Sequence, residues 1–359
     1  MQRRDFLIAL AAFHGLLPSR AAAVDFAPVL AGRRLVFPQD YGAHPEFRTE
    51  WWYATGWLKG ADHRPLGFQI TFFRIRSGIG ESNPSRFAPS QLIFAHAAIA
   101  DPALGRLRHS ERAARSALGR AGYQLGRTDV WIADWRFEQT AEGYRARVQG
   151  EDFSYDLQLA TREVPMLNGD QGFSSKAADP RHASYYYSRP QLAVTGSLSL
   201  DGRRETISGH AWLDHEWSSE LLPDRAQGWD WVGINLFDGS ALMAFRLRDA
   251  DQKALWAAGS LRSTSKTTQN FAPGEIHFTA LRNWRSPRTG ISYPLSWRLR
   301  IGERAFELSP LIDDQELDSR RSVGAVYWEG AIRVSENGRP VGEGYLELTG
   351  YGEKIRVGR

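Results

Sequence analysis

The chain has 359 residues, no cysteine, and 45 basic against 41 acidic side chains. These values exclude disulfide frameworks, thiolate metal sites, cysteine nucleophiles and a lipidated N-terminal cysteine, and the small, unclustered positive excess is no argument for nucleic acid. The length is enough for two domains, each with its own core.

The first 23 residues read as a leader. Arg3-Arg4-Asp5-Phe6-Leu7 is a twin-arginine pair, Ile8 to Leu17 is apolar, and Ala21-Ala22-Ala23 offers a small-residue cleavage site. The apolar run is shorter than the roughly 20 residues a membrane span needs, so the expectation is twin-arginine export to the periplasm or the exterior. The mature chain carries 42 basic against 40 acidic residues, and no later stretch is apolar for long enough to form a transmembrane helix.

Beyond residue 23 the pattern is one of strands. Phe68, Ile70 and Phe72 alternate with Gln69 and Thr71; Met243, Phe245 and Leu247 alternate with Ala244, Arg246 and Arg248. Asn168-Gly169, Asp201-Gly202, Asp238-Gly239 and Asn337-Gly338 are hairpin dipeptides. Only Ser110 to Leu125 reads as helical, as an insertion on a connecting loop.

The two halves resemble each other in order. Trp51-Trp52-Tyr53-Ala54-Thr55-Gly56 answers to Trp229-Asp230-Trp231-Val232-Gly233, Gly150-Glu151-Asp152-Phe153 to Gly302-Glu303-Arg304-Ala305-Phe306, and Gly209-His210-Ala211-Trp212-Leu213 to Gly344-Tyr345-Leu346-Glu347-Leu348. Two repeats of about eight strands each predict an all-β protein of two tandem antiparallel barrels, residues 24–222 and 223–359, with Leu221-Leu222-Pro223-Asp224 at the boundary.

Copies that share a fold share packing residues but need not share chemistry, so polar residues present in one copy alone are the candidates. The largest contrast is Asp214-His215-Glu216-Trp217 after Leu213, where the second copy runs Thr349-Gly350-Tyr351 after Leu348. Period-two geometry puts Ala211, Leu213, His215 and Trp217 on one face, taken as the interior of the first barrel. Asp214 and Glu216 share the other face and reach that cavity only at the strand end. The same run also fits a solvated corner with a core histidine. Glu50-Trp51-Trp52-Tyr53 fits a ligand-contacting segment, with Glu50, Trp52 and Tyr53 at the ligand, or a plug in the barrel floor. Lys176 and Tyr186, in Gln171 to Lys176 and Tyr185 to Ser188, fit cavity-rim donors or a loop and an aromatic strand.

At these motifs the sequence resembles the AttH-like family, also called predicted secreted hydrolases and related to carotenoid 1,2-hydratase. The resemblance rests on Glu50 to Tyr53, Gln171 to Lys176, Tyr186-Tyr187-Ser188, Gly209 to Ser218 and Glu347 to Tyr351. It implies two lipocalin-like, calycin-type barrels, no redox cofactor, and genes often set beside ABC-transporter permeases of the lipoprotein-release type. The hydratases' catalytic His-x-Trp pair maps onto His215 and Trp217. The Tyr-x-Asp that accompanies it there is missing from the equivalent strand, Leu242 to Arg248.

Two functions are compatible with these features. The first is an exported lipocalin-like protein that binds an elongated apolar lipid or isoprenoid-like molecule, as an accessory to an ABC-type export system; 13 tryptophans suit such a lining. The alternative is a cofactor-independent enzyme that hydrates an alkene, with Asp214 or Glu216 as acid, Trp217 facing the cation and His215 handling water. No Gly-x-Ser-x-Gly elbow, no His-Glu-x-x-His and no zinc-like histidine spacing is present, so neither a metal nor a cofactor is expected.

Overall fold

The computed structural model describes residues 24–355 apart from positions 61, 86 and 162; the expected leader lies outside the described residues. Thirteen strands precede residue 219: β1 Thr49–Lys59, β2 Pro65–Arg76, β3 Gln91–Asp101, β4 Arg106–Arg115, β5 Ala121–Tyr123, β6 Asp129–Ile132, β7 Trp135–Gln139, β8 Gly143–Gln149, β9 Phe153–Ala160, β10 Met166–Leu167, β11 Phe173–Ser175, β12 Ala183–Leu200 and β13 Arg203–Ser218. Ten follow: β14 Gly228–Leu236, β15 Ala241–Arg248, β16 Ala254–Arg262, β17 Thr268–Phe271, β18 Ile276–Arg285, β19 Ser292–Ile301, β20 Arg304–Pro310, β21 Glu316–Ser319, β22 Ala325–Glu336 and β23 Arg339–Leu348. The only helical pieces among the described residues are single 3-10 turns, and no helix there is long and apolar enough to cross a membrane.

The first sheet runs β4-β3-β2-β1-β13-β12-β9-β8-β7-β6-β5, with β10 and β11 against β12. The second runs β17-β16-β15-β14-β23-β22-β20-β19-β18, with β21 against β22. The two therefore follow one strand order. In both, a two-residue turn with both residues at positive φ, Asp201-Gly202 and Asn337-Gly338, joins the two long central strands.

Two tandem closed barrels are not what forms. In the first sheet the end strands β4 and β5 come against each other, and Arg112 of β4 donates to the carbonyls of Ile132 and Gln149 at 3.2 and 3.1 Å, which gives one near-barrel. The second sheet stays open: no ladder joins its end strands β17 and β18. Strand count and alternation specify a sheet, but closure depends on tilt and stagger around the whole circuit, which local patterns do not carry.

The helix expected over residues 110–125 is also absent. Its first half is β4, whose Glu111 pairs with His96 of β3, and Ala121 begins β5. Ala- and Arg-rich propensity yields there to an edge-strand ladder.

Three cores result. Phe68, Ile70 and Phe72 fill the near-barrel with Trp52, Leu157 and Leu213; Val232, Trp297, Leu299 and Trp328 fill the second sheet. A third core lies between the sheets, where Tyr53, Trp57, Tyr186 and Trp212 meet Trp231, Met243, Phe245, Tyr327 and Tyr345. Strands β1 and β2 and the second half of β13 are thus buried on both faces, which is why β1 and β2 read as largely apolar or aromatic runs.

Polar groups fix how the sheets dock. Trp57 Nε1 donates to the Gly344 carbonyl at 3.0 Å. Asn235 of β14 donates to the Ala211 carbonyl at 3.0 Å and accepts from the Gln191 amide at 2.9 Å, where β12 carries its bulge. Replacing Asn235 with Ala leaves both backbone groups buried and unpaired. Chemical denaturation is expected to show a loss of about 1–3 kcal/mol; an unchanged midpoint contradicts a docking role.

Candidate functional site

Strand β13 carries the candidate run Asp214-His215-Glu216-Trp217, and its period-two geometry sends alternate residues to two different places. His215 and Trp217 turn inward and are fully buried. His215 Nε2 meets Glu50 Oε1 at 2.8 Å, and its Nδ1 meets the Tyr187 hydroxyl at 3.0 Å. The same Glu50 oxygen meets His44 Nδ1 at 2.8 Å; Glu50 Oε2 accepts from Arg74 Nε at 2.8 Å. His44 Nε2 reaches Asp40 Oδ1 at 3.1 Å. Trp217 stacks on the His44 ring at 3.7 Å, and Trp52 stacks on the His215 ring at 4.8 Å.

Electrostatics assigns the charges in this cluster. Burial, only partly offset by Glu50, pushes His215 down to about 4, so its imidazole is neutral. Burial also works against charge on His44, yet Glu50 and Asp40 on its two nitrogens hold its pKa above the ordinary value. Glu50 is held well below the carboxylate range, against its own burial, by His44 and Arg74. The result is a chain of two carboxylates and two cations with a neutral imidazole at its end.

His44, Glu50 and His215 offer ligand atoms within 4.8 Å of one another, the one group among the described residues with metal-like donor spacing. The donors do not fit an ion well. The two histidine nitrogens hydrogen-bond to the same Glu50 oxygen, too close to leave room for an ion between them, and the Arg74 guanidinium on the second Glu50 oxygen opposes a further cation. The cluster suits a structural role: it ties the N-terminal segment, β1, β2 and β13 together.

Asp214 and Glu216 face the other way, into a cavity of about 110 Å³ between the two sheets. Asp214 Oδ1 accepts from Ser188 Oγ at 2.5 Å and Trp212 Nε1 at 2.6 Å; Oδ2 accepts from the Tyr186 hydroxyl at 2.7 Å. Tyr186 in turn accepts from Trp231 Nε1 at 3.0 Å. Glycine at 233 allows this arrangement, since a β-carbon there would come within 3.0 Å of the Trp212 ring. Glu216 Oε1 holds Lys176 Nζ at 2.8 Å and accepts from Ser184 Oγ at 2.5 Å.

The second sheet supplies the opposite wall. Glu347 of β23 accepts from Trp229 Nε1 at 3.1 Å and lies directly across the ladder from Glu329 of β22. Glu329 Oε1 is buried without a hydrogen-bond partner of normal geometry; the nearby Tyr53 hydroxyl eases its charge only partly. The walls correspond in register, for Trp51 stands opposite Glu216 in the first sheet as Trp231 stands opposite Glu347 in the second.

These carboxyls are poised near neutrality. Burial raises Asp214 to about 7 in spite of its three donors, and burial raises Glu347 to about 7. Burial and the neighbouring Glu347 push Glu329 well above the carboxylate range. Trp51, Phe73, Trp229, Phe245 and Leu247 complete a largely apolar lining.

Of the residues singled out in the sequence, the cavity therefore brings together Asp214, Glu216, Lys176, Tyr53 and Tyr186, and leaves out Glu50, Trp52, His215 and Trp217. His44, Glu329, Glu347, Trp229 and Trp231 were missed. Comparing copies for differences discards residues that both copies contribute to a shared cavity, and Glu347 holds the register position of Glu216. Nothing in the spacing marks His44, which meets Glu50 only because the segment before β1 folds back over the barrel end.

The structure is an all-β pair of sheets with an acid-lined cavity between them, and comparison places it in a family. The chain belongs to the AttH-like family, whose model matches residues 28–351. A putative AttH from Nitrosomonas europaea is 49% identical, with a TM-score of 0.85 over 91% of this chain and 100% of that one. Kievitone hydratase from Nectria haematococca shares the fold at 16% identity and a TM-score of 0.67, over 91% of this chain and 96% of its own. CghA shares it at 14% identity and a TM-score of 0.54, over 84% and 88%. No curated protein sequence matches.

If the buried cluster holds β13 in register, Glu50→Ala leaves the Arg74 guanidinium buried without its anionic partner and leaves His44 with Asp40 alone. The expected loss is about 3–5 kcal/mol in chemical denaturation, with Glu50→Gln intermediate. A change below about 1 kcal/mol rules that role out.

Proposed function

We propose that this protein is a cofactor-independent enzyme that adds water across an alkene of an apolar molecule, in the cavity between its two sheets. The observation that carries this reading is the set of buried carboxyls, Asp214, Glu329 and Glu347, held near or above neutrality against aromatic walls. An acid that keeps its proton at physiological pH is what protonation of a carbon–carbon double bond requires. A cavity meant only to hold a lipid gains nothing from three such groups, each costly to bury.

In this mechanism the protonated member of the Glu329–Glu347 pair gives its proton to one alkene carbon. The other carbon becomes a tertiary cation, which the π faces of Trp229, Trp231 and Phe245 and the carboxylate left behind stabilise by about 2 kcal/mol or more per desolvated contact. Water forms the new C–O bond, and its proton passes to Asp214, which Tyr186 and Trp212 hold in place. Proton exchange between the two walls restores the starting state. Lys176 and Glu216 neutralise each other at the rim. His215 and Trp217 act as positioning residues, through the register of β13. The fold accommodates a protein named kievitone hydratase, but the argument for this chain rests on its own carboxyls.

The leader expected at residues 1–23 would put this activity in the periplasm or outside the cell. An accessory role beside an ABC permease, and an apolar cargo carried rather than converted, rest on family resemblance and on the apolar lining alone.

Isoprenoid-type alkenes incubated with the mature chain in ¹⁸O-water are expected to yield labelled tertiary alcohols. Glu347→Gln or Glu329→Gln, which preserve shape, should lower the rate at least about 100-fold. Because Glu347 must be protonated and Asp214 ionised, the rate should peak near pH 7 and fall on either side of it. A stoichiometric lipid released by organic extraction, with no turnover on any alkene, returns the protein to the carrier class.

A further inference from the structure

The charge balance of the intersheet cavity points beyond an uncharged ligand. Asp214, Glu216, Glu329 and Glu347 line it, and Lys176 is its one basic side chain among the described residues. Glu216 already engages that lysine, so three carboxyls have no counter-cation. Glu329 is the clearest case, since its Oε1 is buried without a hydrogen-bond partner of normal geometry, with only the Tyr53 hydroxyl near it, and it sits beside a second carboxyl.

The cavity also contains an example of what it favours. The Lys176 ammonium lies 4.2 Å from the centroid of the Phe245 ring and 5.2 Å from that of Tyr186, with Glu216 Oε1 at 2.8 Å. An ammonium is thus held by aromatic faces, one carboxylate and the Ser174 hydroxyl at 3.0 Å. On the far wall, Trp229 donates to Glu347, Trp231 stands across the ladder from it, and Glu329 lies on its other side, with no basic side chain among the described residues there. Aromatic faces combined with carboxylates are the recognition chemistry of weakly hydrated ammonium groups, whose charge is spread over alkyl carbons and costs little to desolvate.

We propose that this cavity binds apolar molecules bearing a tertiary or quaternary ammonium, seated between Trp229, Trp231 and the Glu329–Glu347 pair, in preference to neutral molecules of the same shape. The proposal rests on the reading of this cavity as the reaction centre, and an ammonium there takes the place of the tertiary cation. It needs no turnover, so the two can fail separately.

The test uses the full mature chain at pH 8 and two probes of one shape, benzyltrimethylammonium and neopentylbenzene, with affinity read from tryptophan fluorescence and calorimetry. The ammonium is expected to bind at least tenfold more tightly. Glu329→Gln and Glu347→Gln should each erase most of that preference while leaving affinity for the neutral probe within about twofold. Equal affinities, a preference for neopentylbenzene, or no binding of either probe overturns the proposal. A preference that survives both variants overturns the assignment to the carboxyl pair. Ammonium selectivity in a protein that converts no alkene leaves this inference standing and removes the hydratase; turnover without selectivity does the reverse.

Discussion

The structure depends on one constraint: β13 is clamped in register, so a two-residue period decides which of four consecutive side chains enters which compartment. The clamp is the carboxylate of Glu50, which joins Arg74 on β2, His215 on β13 and His44 on the segment before β1 at contacts of 2.8 Å. A slip of one residue would put His215 and Trp217 in the intersheet cavity and drive Asp214 and Glu216 against the buried Glu50 carboxylate. Buried ion clusters add little net stability over a well-packed apolar core, and their value lies in the cost of any alternative arrangement.

Everything chemical follows from the second compartment. The outer faces of the two sheets meet, and each contributes an acid at the same register position, Glu216 and Glu347, each opposite a tryptophan. One acid is neutralised by Lys176 and the other is not. That asymmetry turns a symmetric interface into a site with one ionic wall and one wall whose carboxyls retain protons. The same low-dielectric surroundings that keep these protons on would magnify the attraction for a positive centre once a proton leaves.

Much of the fold was legible because it is written locally. The all-β class, the hairpins at Asp201-Gly202 and Asn337-Gly338, and the repeated order of motifs all follow from residue type and spacing, and the sheets do follow one strand order. Closure was not legible: whether ten strands complete a barrel depends on tilt and stagger summed over the sheet. The segment from Ser110 has helix-forming composition, yet its backbone is used by β3. Of the site, the Asp214 to Trp217 run and its two faces could be read from the sequence, but the cavity was sought inside a barrel when it lies between sheets. That displacement hid Glu329, Glu347, Trp229 and Trp231, whose partners are more than a hundred residues away or across the interface.

The central claim is that a carboxyl in this cavity carries a proton at neutral pH. An infrared titration of the chain from residue 24 onward, taken as the difference between wild type and Glu347→Gln, measures it without any substrate. The account predicts a protonated-carboxyl carbonyl band that is present at pH 6, fades as pH passes about 7, and is lost in the variant. Carboxyls that are all ionised by about pH 5, as for solvated glutamate, would contradict it.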